Sequence, residues 1–263
     1  MSETTFNLRT LNLAAGTYSI TVEAEAEGYT DSDTSNAVNY TAAAPIPTDS
    51  IVFAGETSDF TLKATNKSWD GTVEYSTDKN TWTTWDGSEI PSANKKLYLR
   101  GKNNTSFNTS NGVRFVLSAR AGCYGNINTL LDYENPPTTL AKPSCYRDMF
   151  HDCTKLVSAP ALPATTLASY CYMQMFYNCT SLTTAPELPA TTLASYCYIQ
   201  MFQDCTSLKV SETQTEEYAT AWRIPSAGEI AAEATSWNDS MLANTGGTFK
   251  ANPSINTTYY MAG

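Results

Sequence analysis

Histidine and basic residues are scarce in this sequence. It contains one histidine, His151, and 16 lysines and arginines against 26 aspartates and glutamates, which gives a net charge of −10. A single imidazole excludes mechanisms that require two, including most zinc hydrolase sites. Because a nucleic-acid backbone is bound by a basic face, the acidic balance argues against DNA or RNA as a partner.

Long apolar runs are also absent. No stretch reaches the length of about 20 residues that crosses a bilayer, so we expect no membrane insertion. The first five residues, Met1 to Thr5, have neither the basic start nor the apolar stretch of a secretory signal peptide. The sequence therefore predicts a protein that does not pass through the general secretion pathway.

Motifs of catalysis and of metal binding are missing too. The sequence has no G-x-S-x-G nucleophile elbow and no C-x-x-C pair. Residues 31–33 resemble a fragment of a calcium loop but lack its glycine and its terminal glutamate. We predict no catalytic residue, no metal and no cofactor. A glycan-degrading accessory domain, the enzyme alternative, would require two carboxylates close together in a cleft.

The cysteines follow a regular spacing, and none of the seven precedes residue 123. Residues 145–170 and 171–196 are identical at 18 of 26 positions, a third copy starts at residue 197, and a degenerate copy lies at 137–141. A fixed period of this length indicates a solenoid whose repeats stack into one continuous core. Six cysteines form two series with the same 26-residue period: Cys145, Cys171 and Cys197, and Cys153, Cys179 and Cys205.

Each repeat has an expected internal structure. Leu167 to Phe176 fits a short helix with an apolar stripe, and Pro163 precedes it, where a proline ring is tolerated. Residues 179–182 predict a turn, and residues 183–186 predict an extended segment. Equivalent cysteines would stack as a structural ladder of small buried side chains. Free thiols and disulfide pairing both remain open interpretations of this ladder.

The repeats resemble a known family. The pattern M-F-x-x-C-T-x-L-x-x-A-P-x-L-P-A-T-T-L, which runs from Met175 to Leu193, is similar to the BspA-type leucine-rich repeat. Such repeats occur in surface proteins of Bacteroides-type bacteria and in proteins of their phages, and the resemblance extends to virion proteins of crAss-like phages. The match covers residues 123–210, about a third of the chain. The resemblance implies a leucine-rich-repeat solenoid used in adhesion and surface display, and it brings no catalytic residues.

The N-terminal segment reads as part of a β-sandwich. Residues 1–43 resemble half of an immunoglobulin-like or fibronectin-like domain, and Tyr18 is placed like the corner tyrosine of such folds. Two or three strands do not form a stable sheet alone, so they would pair with the next domain or with another chain. The second possibility would make this segment an anchor by strand addition. Residues 44–50 read as a proline-containing linker.

The remaining segments also predict β structure. Residues 51–122 show alternating strands typical of a small antiparallel β domain. Within them, Ser76 to Trp82 is similar to the Asp-box hairpin of sialidase propellers, which has a structural role there. Residues 211–263 lose the repeat and predict a C-terminal β cap over the last open face of the solenoid. The expected fold class is therefore mainly β with short helices.

Candidate recognition residues are those that differ between the copies, because we expect such positions on exposed faces. The recurring tyrosines at 146, 172 and 198 would form a stripe for sugar or protein contact if they faced outward, but their place beside the cysteines favours the core. The candidates are Arg147, Asp148, His151, Asp152, Met173, Gln174, Tyr177, Asn178, Ile199, Gln200, Gln203 and Asp204.

These patterns together predict a non-enzymatic phage virion surface protein. It would be a head or tail decoration or fibre that displays the repeats for adhesion to a host surface or its glycans. Residues 1–43 would attach it to other virion proteins or to sister copies, in a homo-oligomeric or multicopy arrangement. A virion protein is released by lysis and needs no export signal, in agreement with the start of the chain. The alternative is a fragment of a bacterial cell-surface adhesin with the same repeats.

Overall fold

The computed structural model describes residues 16–20, 38–42, 48–108, 112–209, 223–251 and 259–262. The chain divides into two compact units, residues 1–46 and residues 47–263. The fold is mainly β, as predicted, and the described residues contain a single turn of 3₁₀ helix, Ile127–Leu130, in which the side chain of Asn126 caps the first turn.

The first unit contains one antiparallel pair of strands. Strand β1 (Gly16–Ile20) pairs with strand β2 (Val38–Ala42), and Tyr18 lies opposite Tyr40 in the register. The other parts of the predicted immunoglobulin-like segment lie outside the described residues, and so does most of the predicted linker.

The second unit begins with two sheets. The strands are β3 (Ile51–Gly55), β4 (Thr61–Thr65), β5 (Thr72–Ser76), β6 (Thr83–Thr84), β7 (Ile90–Pro91), β8 (Lys96–Lys102), β9 (Arg114–Leu117), β10 (Ala121–Tyr124) and β11 (Leu156–Ser158). One sheet has the order β11-β10-β3-β8-β5-β6, and the other has the order β7-β4-β9. All pairs are antiparallel except β10 with β11, which is parallel.

Aromatic side chains pack between these two sheets. Strand β8 alternates fully buried Leu97 and Leu99 with partly exposed neighbours, as expected for a strand with one face on the core. Phe53 of the larger sheet meets Phe115 of the smaller one edge to face, with ring centroids 5.9 Å apart. Trp85 stacks on Trp69 nearby at 5.4 Å.

The repeats form what we call the turn ladder. It consists of four stacked coils: residues 144–156, 170–182, 196–208 and 236–245. Alternate amides of each coil donate to carbonyls of the next coil, as from Tyr146 N to Cys171 O at 2.8 Å and from Phe150 N to Met175 O at 2.8 Å. The amides between them donate to the carbonyl three residues back in their own coil, as from His151 N to Asp148 O at 2.9 Å.

The prediction of short helices in the repeats is therefore wrong. Each coil is a run of tight turns in which every fourth residue has a positive φ, at positions such as Ser144, Asp148 and Asp152 in the first coil. A left-handed residue at this spacing interrupts the α-helical hydrogen bonds. The coil places two residues inside and the next two outside, and this period of four is close enough to 3.6 to imitate an amphipathic helix in the sequence.

The ladder and the sheets share one hydrophobic core. Phe150 packs on Phe115 of β9 at 5.6 Å, and Phe115 N donates to Met149 O at 2.7 Å, so residues of the smaller sheet cover the first coil. The boundary predicted between residues 122 and 123 falls inside β10, which pairs with β11 of the first repeat. The segments 51–122 and 123–210 thus belong to one compact unit.

The C-terminal segment contains a coil that the sequence did not indicate. Tyr198 N donates to Trp237 O at 2.8 Å and Phe202 N donates to Met241 O at 3.0 Å, which continues the hydrogen-bond pattern of the earlier coils. Ser236, Ser240 and Asn244 have the same positive φ as their equivalents. The segment also forms a sheet of the order β12-β14-β13 from Arg223–Ile224 (β12), Thr248–Ala251 (β13) and Tyr259–Ala262 (β14).

Candidate recognition surface

The predicted recognition residues lie on the side of the turn ladder that points away from its core. In the first coil Cys145 and Tyr146 are buried, Arg147 is partly exposed, Met149 and Phe150 are buried again, and the next two residues point outward. We call this side the outer ladder face. It comprises the twelve predicted residues, the tyrosines 170 and 196, and residues 239, 240, 243 and 244 of the fourth coil.

Asp148 is an exception, because the sequence predicted it to be exposed and it is buried at 5% relative accessibility. Gly112 approaches it so closely that a Cβ atom there would lie 2.7 Å from Asp148 Oδ2. Two partly exposed side chains are partners of the Asp148 carboxylate. Arg147 Nε donates to Oδ2 at 3.2 Å, and His151 Nδ1 lies 3.3 Å from Oδ1. A buried charge needs such partners.

The single histidine joins two carboxylates at the first coil. Its Nδ1 faces Asp148, and its Nε2 lies 3.3 Å from Asp152 Oδ2. Asp152 also accepts from Arg114 of β9 at 3.4 Å. The imidazole stacks on the ring of Tyr177 in the second coil, with centroids 4.6 Å apart. The arrangement holds His151 by its ring face and by both of its nitrogens, as a structural part of the surface.

Polar side chains link equivalent positions of neighbouring coils. Gln174 Nε2 donates to Gln200 Oε1 at 3.0 Å, and Asn178 Nδ2 donates to Asp152 Oδ1 at 2.9 Å. In the same way Asn244 of the fourth coil donates to Asp204 at 2.6 Å. The hydrogen bond to Asp204 and its charge raise the pKa of Tyr177. Asp and Asn alternate along this row, which keeps like charges out of adjacent coils.

Met173, Ile199 and Gln203 complete the predicted set and are all partly exposed. Gln203 Oε1 is a buried atom without a hydrogen-bond partner. Eleven of the twelve predicted residues are therefore at least partly exposed, and only Asp148 is buried.

The recurring tyrosines belong to the core. Tyr146, Tyr172 and Tyr198 stack with nearly parallel rings at centroid distances of 6.0 and 5.9 Å. Tyr146 Oη donates to Ile127 O at 3.2 Å and lies 3.1 Å from Asn128 Oδ1, whereas the hydroxyl of Tyr172 has no hydrogen-bond partner. A parallel stack follows from the translation that relates the coils, because each ring repeats the rotamer of the one before.

The cysteines are buried free thiols in this structure. Burial raises the pKa of Cys145, Cys153 and Cys197 to about 12, and it also raises the pKa values of Cys123, Cys171 and Cys179. Two of the thiols donate to carbonyls of the preceding coil, Cys179 Sγ to Phe150 O at 3.0 Å and Cys205 Sγ to Phe176 O at 2.9 Å. A thiol with such a pKa is not a nucleophile at neutral pH.

Sequence reasoning missed an outward pair of tyrosines, of which Tyr170 is exposed and Tyr196 partly exposed, and it missed the fourth coil. Tyr170 and Tyr196 are identical in the aligned copies and were therefore not among the variable positions. The fourth coil follows the third after 40 residues instead of 26, and tryptophan stands at the position of the first cysteine. The signal that could have found it is Met241, which matches Met149, Met175 and Met201.

Other candidate sites do not gain support from the geometry. The described residues hold no cluster of three or more His, Cys, Asp or Glu side chains that could bind a metal ion. Within the same residues, no helix is long and apolar enough to span a membrane. In the Asp-box-like turn, Asp78 Oδ1 accepts from the amides of Asn80 and Thr81, both at 2.8 Å, and these bonds lower the pKa of Asp78 to about 2. That carboxylate holds its own turn together.

Comparison of the chain with protein-family models, with curated proteins and with solved structures gave no significant match.

Proposed function

We propose that the protein is a non-enzymatic binding module that presents the outer ladder face to a ligand on a host surface. The observation that carries the proposal is the difference between the buried and the outward positions of each coil. The buried positions repeat the same side chains, as in the series Met149, Met175 and Met201, whereas the outward positions change from coil to coil. Such a scaffold holds a varied set of side chains in fixed places.

The rigidity of the scaffold supports this role. Hydrogen bonds join each coil to the next at every second residue, and two columns of stacked rings run through the core. Side chains on such a support lose little conformational freedom when a ligand binds, which favours affinity. Repetition along the ladder also allows one ligand chain to touch several coils at once.

We place the module on the surface of a phage particle, as a head or tail decoration or fibre. The support for this placement is the resemblance of the repeats to those of Bacteroides-type surface proteins and their phages. In this proposal the turn ladder is a BspA-type leucine-rich repeat, and residues 1–43 form an incomplete immunoglobulin-like segment. Attachment to other virion proteins or to sister copies would occur through that segment, which leaves the ladder free.

The location is tested by quantitative mass spectrometry of purified particles and of the cell-envelope fraction from the source culture. We expect peptides of this protein at a fixed ratio to a capsid or tail protein. Peptides found only in the envelope fraction would refute the virion placement and support the adhesin.

The binding surface is tested with labelled protein and cells of the host. Three substitutions take a residue that another coil already carries at the same position: Arg147→Met, Tyr177→Gln and Ile199→Asp. They should leave the fold intact, and together they should reduce cell binding at least tenfold. The control is Glu89→Gln, an exposed change outside the ladder. Equal binding of the triple variant and the control would refute the assignment of the outer ladder face.

A further inference from the structure

Two tyrosines on the outer ladder face stack on each other, one exposed and one partly exposed. Tyr170 and Tyr196 occupy the same position in the second and third coils, with ring centroids 4.8 Å apart and ring planes 7° from parallel. Tyr170 is 37% exposed, which makes it one of three large exposed hydrophobic residues in the described part of the chain. Exposed aromatic area of this kind is typical of contact sites.

The backbone at these tyrosines is strained. Tyr170 has a φ of 60° and Tyr196 a φ of 59°. A left-handed conformation is unfavourable for bulky residues, and Asn, Asp and Gly adopt it more readily. The first and fourth coils use serine at the same position, Ser144 and Ser236. The ladder therefore does not need an aromatic ring at this position.

Among the described residues, the stack of rings ends at Tyr170. Tyr196 covers one face of Tyr170, and the next coil on the other side carries only the small side chain of Ser144. Within the described residues, no other ring and no cation lies on Tyr170 or Tyr196, and neither phenol hydroxyl makes a hydrogen bond there. A flat ligand ring placed over Ser144 would continue the stack in the way that a third tyrosine would.

The neighbouring groups define the chemistry of such a ligand. The outer ladder face offers the amides of Gln174 and Gln200, which hydrogen-bond to each other, and the carboxylate of Asp204. Groups of these kinds can also hydrogen-bond to hydroxyls of a ligand. The acidic balance of the chain, with a net charge of −10, repels polyanions. Aromatic faces bind the C–H side of a pyranose ring, while polar neighbours bind its hydroxyls.

We propose that Tyr170 and Tyr196 form a subsite for a neutral hexose polysaccharide, with one sugar ring stacked on the open face of Tyr170. This inference rests on the proposed binding role of the outer ladder face and names its ligand class. Successive sugar units would extend along the face toward the polar rows of the coils.

The test is affinity electrophoresis of the full-length protein in gels that contain dextran, laminarin or mannan as neutral probes, and alginate or heparin as anionic probes. We expect at least one neutral polysaccharide to retard the protein and neither anionic one to do so. Tyr170→Ser and Tyr196→Ser should each weaken that retardation at least tenfold, and both should fold because serine occupies this position in two other coils.

The matched control is Tyr124→Ser. Tyr124 is 36% exposed, nearly the same as Tyr170, but it lies on β10. Its substitution should change the affinity by less than twofold. Equal effects at 124 and 170, retardation by the anionic probes only, or no retardation by any neutral probe would overturn the proposal.

A cell-binding measurement distinguishes a wrong ligand class from a wrong binding role. If the triple variant of the outer ladder face loses cell binding while no neutral probe retards the wild-type protein, the ligand class is wrong and the binding role stands. If the triple variant binds cells as well as the wild type, the binding role itself is wrong.

Discussion

Seven cysteines are buried inside the second unit, and none of them forms a disulfide. Each is buried in the core, and the translation between coils repeats six of these positions at a fixed spacing of 26 residues. Their chemistry follows from burial, which disfavours the thiolate and excludes reagents.

We predict that the native protein resists alkylation. Iodoacetamide reacts with thiolates, and the buried thiols of Cys145, Cys153 and Cys197 have pKa values of about 12. Mass spectrometry should find no adduct after treatment at pH 8, and seven adducts after the same treatment in guanidinium chloride. Rapid labelling of the native chain would contradict the burial of the ladder.

The buried thiols also predict that the free energy of unfolding falls at alkaline pH. The folded pKa of Cys145 lies near 12 and its ordinary value is 9.0, so its contribution is complete below pH 9 and is lost as the pH rises toward 12. Burial also raises the pKa values of Tyr146, Tyr172 and Tyr198, which act in the same direction. Urea denaturation at several pH values should show the decline, and Cys145→Ala should make it shallower. A flat profile from pH 9 to 11 would oppose this account.

At the scale of elements, columns of stacked aromatic rings in the core stabilise the ladder. Phe176 stacks between Phe150 at 5.4 Å and Phe202 at 5.6 Å and is completely buried. It is therefore in contact with coils on both sides.

Phe176→Ala should destabilise the protein by about 3–5 kcal/mol, since it removes a ring and leaves a cavity. Phe176→Leu is the matched control, because Leu242 occupies the same position in the fourth coil, and it should cost roughly 1–2 kcal/mol. Guanidinium denaturation measures both. Similar losses for the two variants would mean that the column does not pack as described.

The fourth coil covers the third coil of the ladder. Its carbonyls accept from Tyr198, Gln200, Phe202 and Asp204 of the third coil. A chain that ends before residue 223 should therefore expose the third coil, bind the dye ANS and lose hydrogen-exchange protection at those four amides. Unchanged protection at the four amides would show that the fourth coil is dispensable.

The sequence predicts the repeat and the inward positions of the ladder, because a period of 26 residues needs no structural knowledge to be seen. The backbone of the coil could not be read in the same way. Asp152, Asn178, Asp204 and Asn244 all stand at a left-handed position, for which Asp and Asn are well suited. That preference is visible only when the four are aligned, and the insertion before Met241 hides the last one. The burial of Asp148 depends on Gly112, which lies far away in the sequence.

At the scale of the whole molecule, a sandwich of two sheets covers the first coil of the ladder, and the fourth coil covers the third. Asn108 Nδ2 donates to Arg147 O at 3.0 Å at the first end, where no earlier coil is present to use that carbonyl. The outer ladder face is the side of the coils whose residues vary from one coil to the next. Our account assigns binding to that side.

A competition measurement tests this assignment most directly. Under the proposed virion placement, purified wild-type protein added to host cells before the phage particles should compete with them, and the fraction of particles adsorbed is counted. The account predicts that the wild-type protein and Glu89→Gln block adsorption to the same extent, and that the variant with Arg147→Met, Tyr177→Gln and Ile199→Asp does not. Equal blocking by all three proteins, or blocking by none, would contradict it.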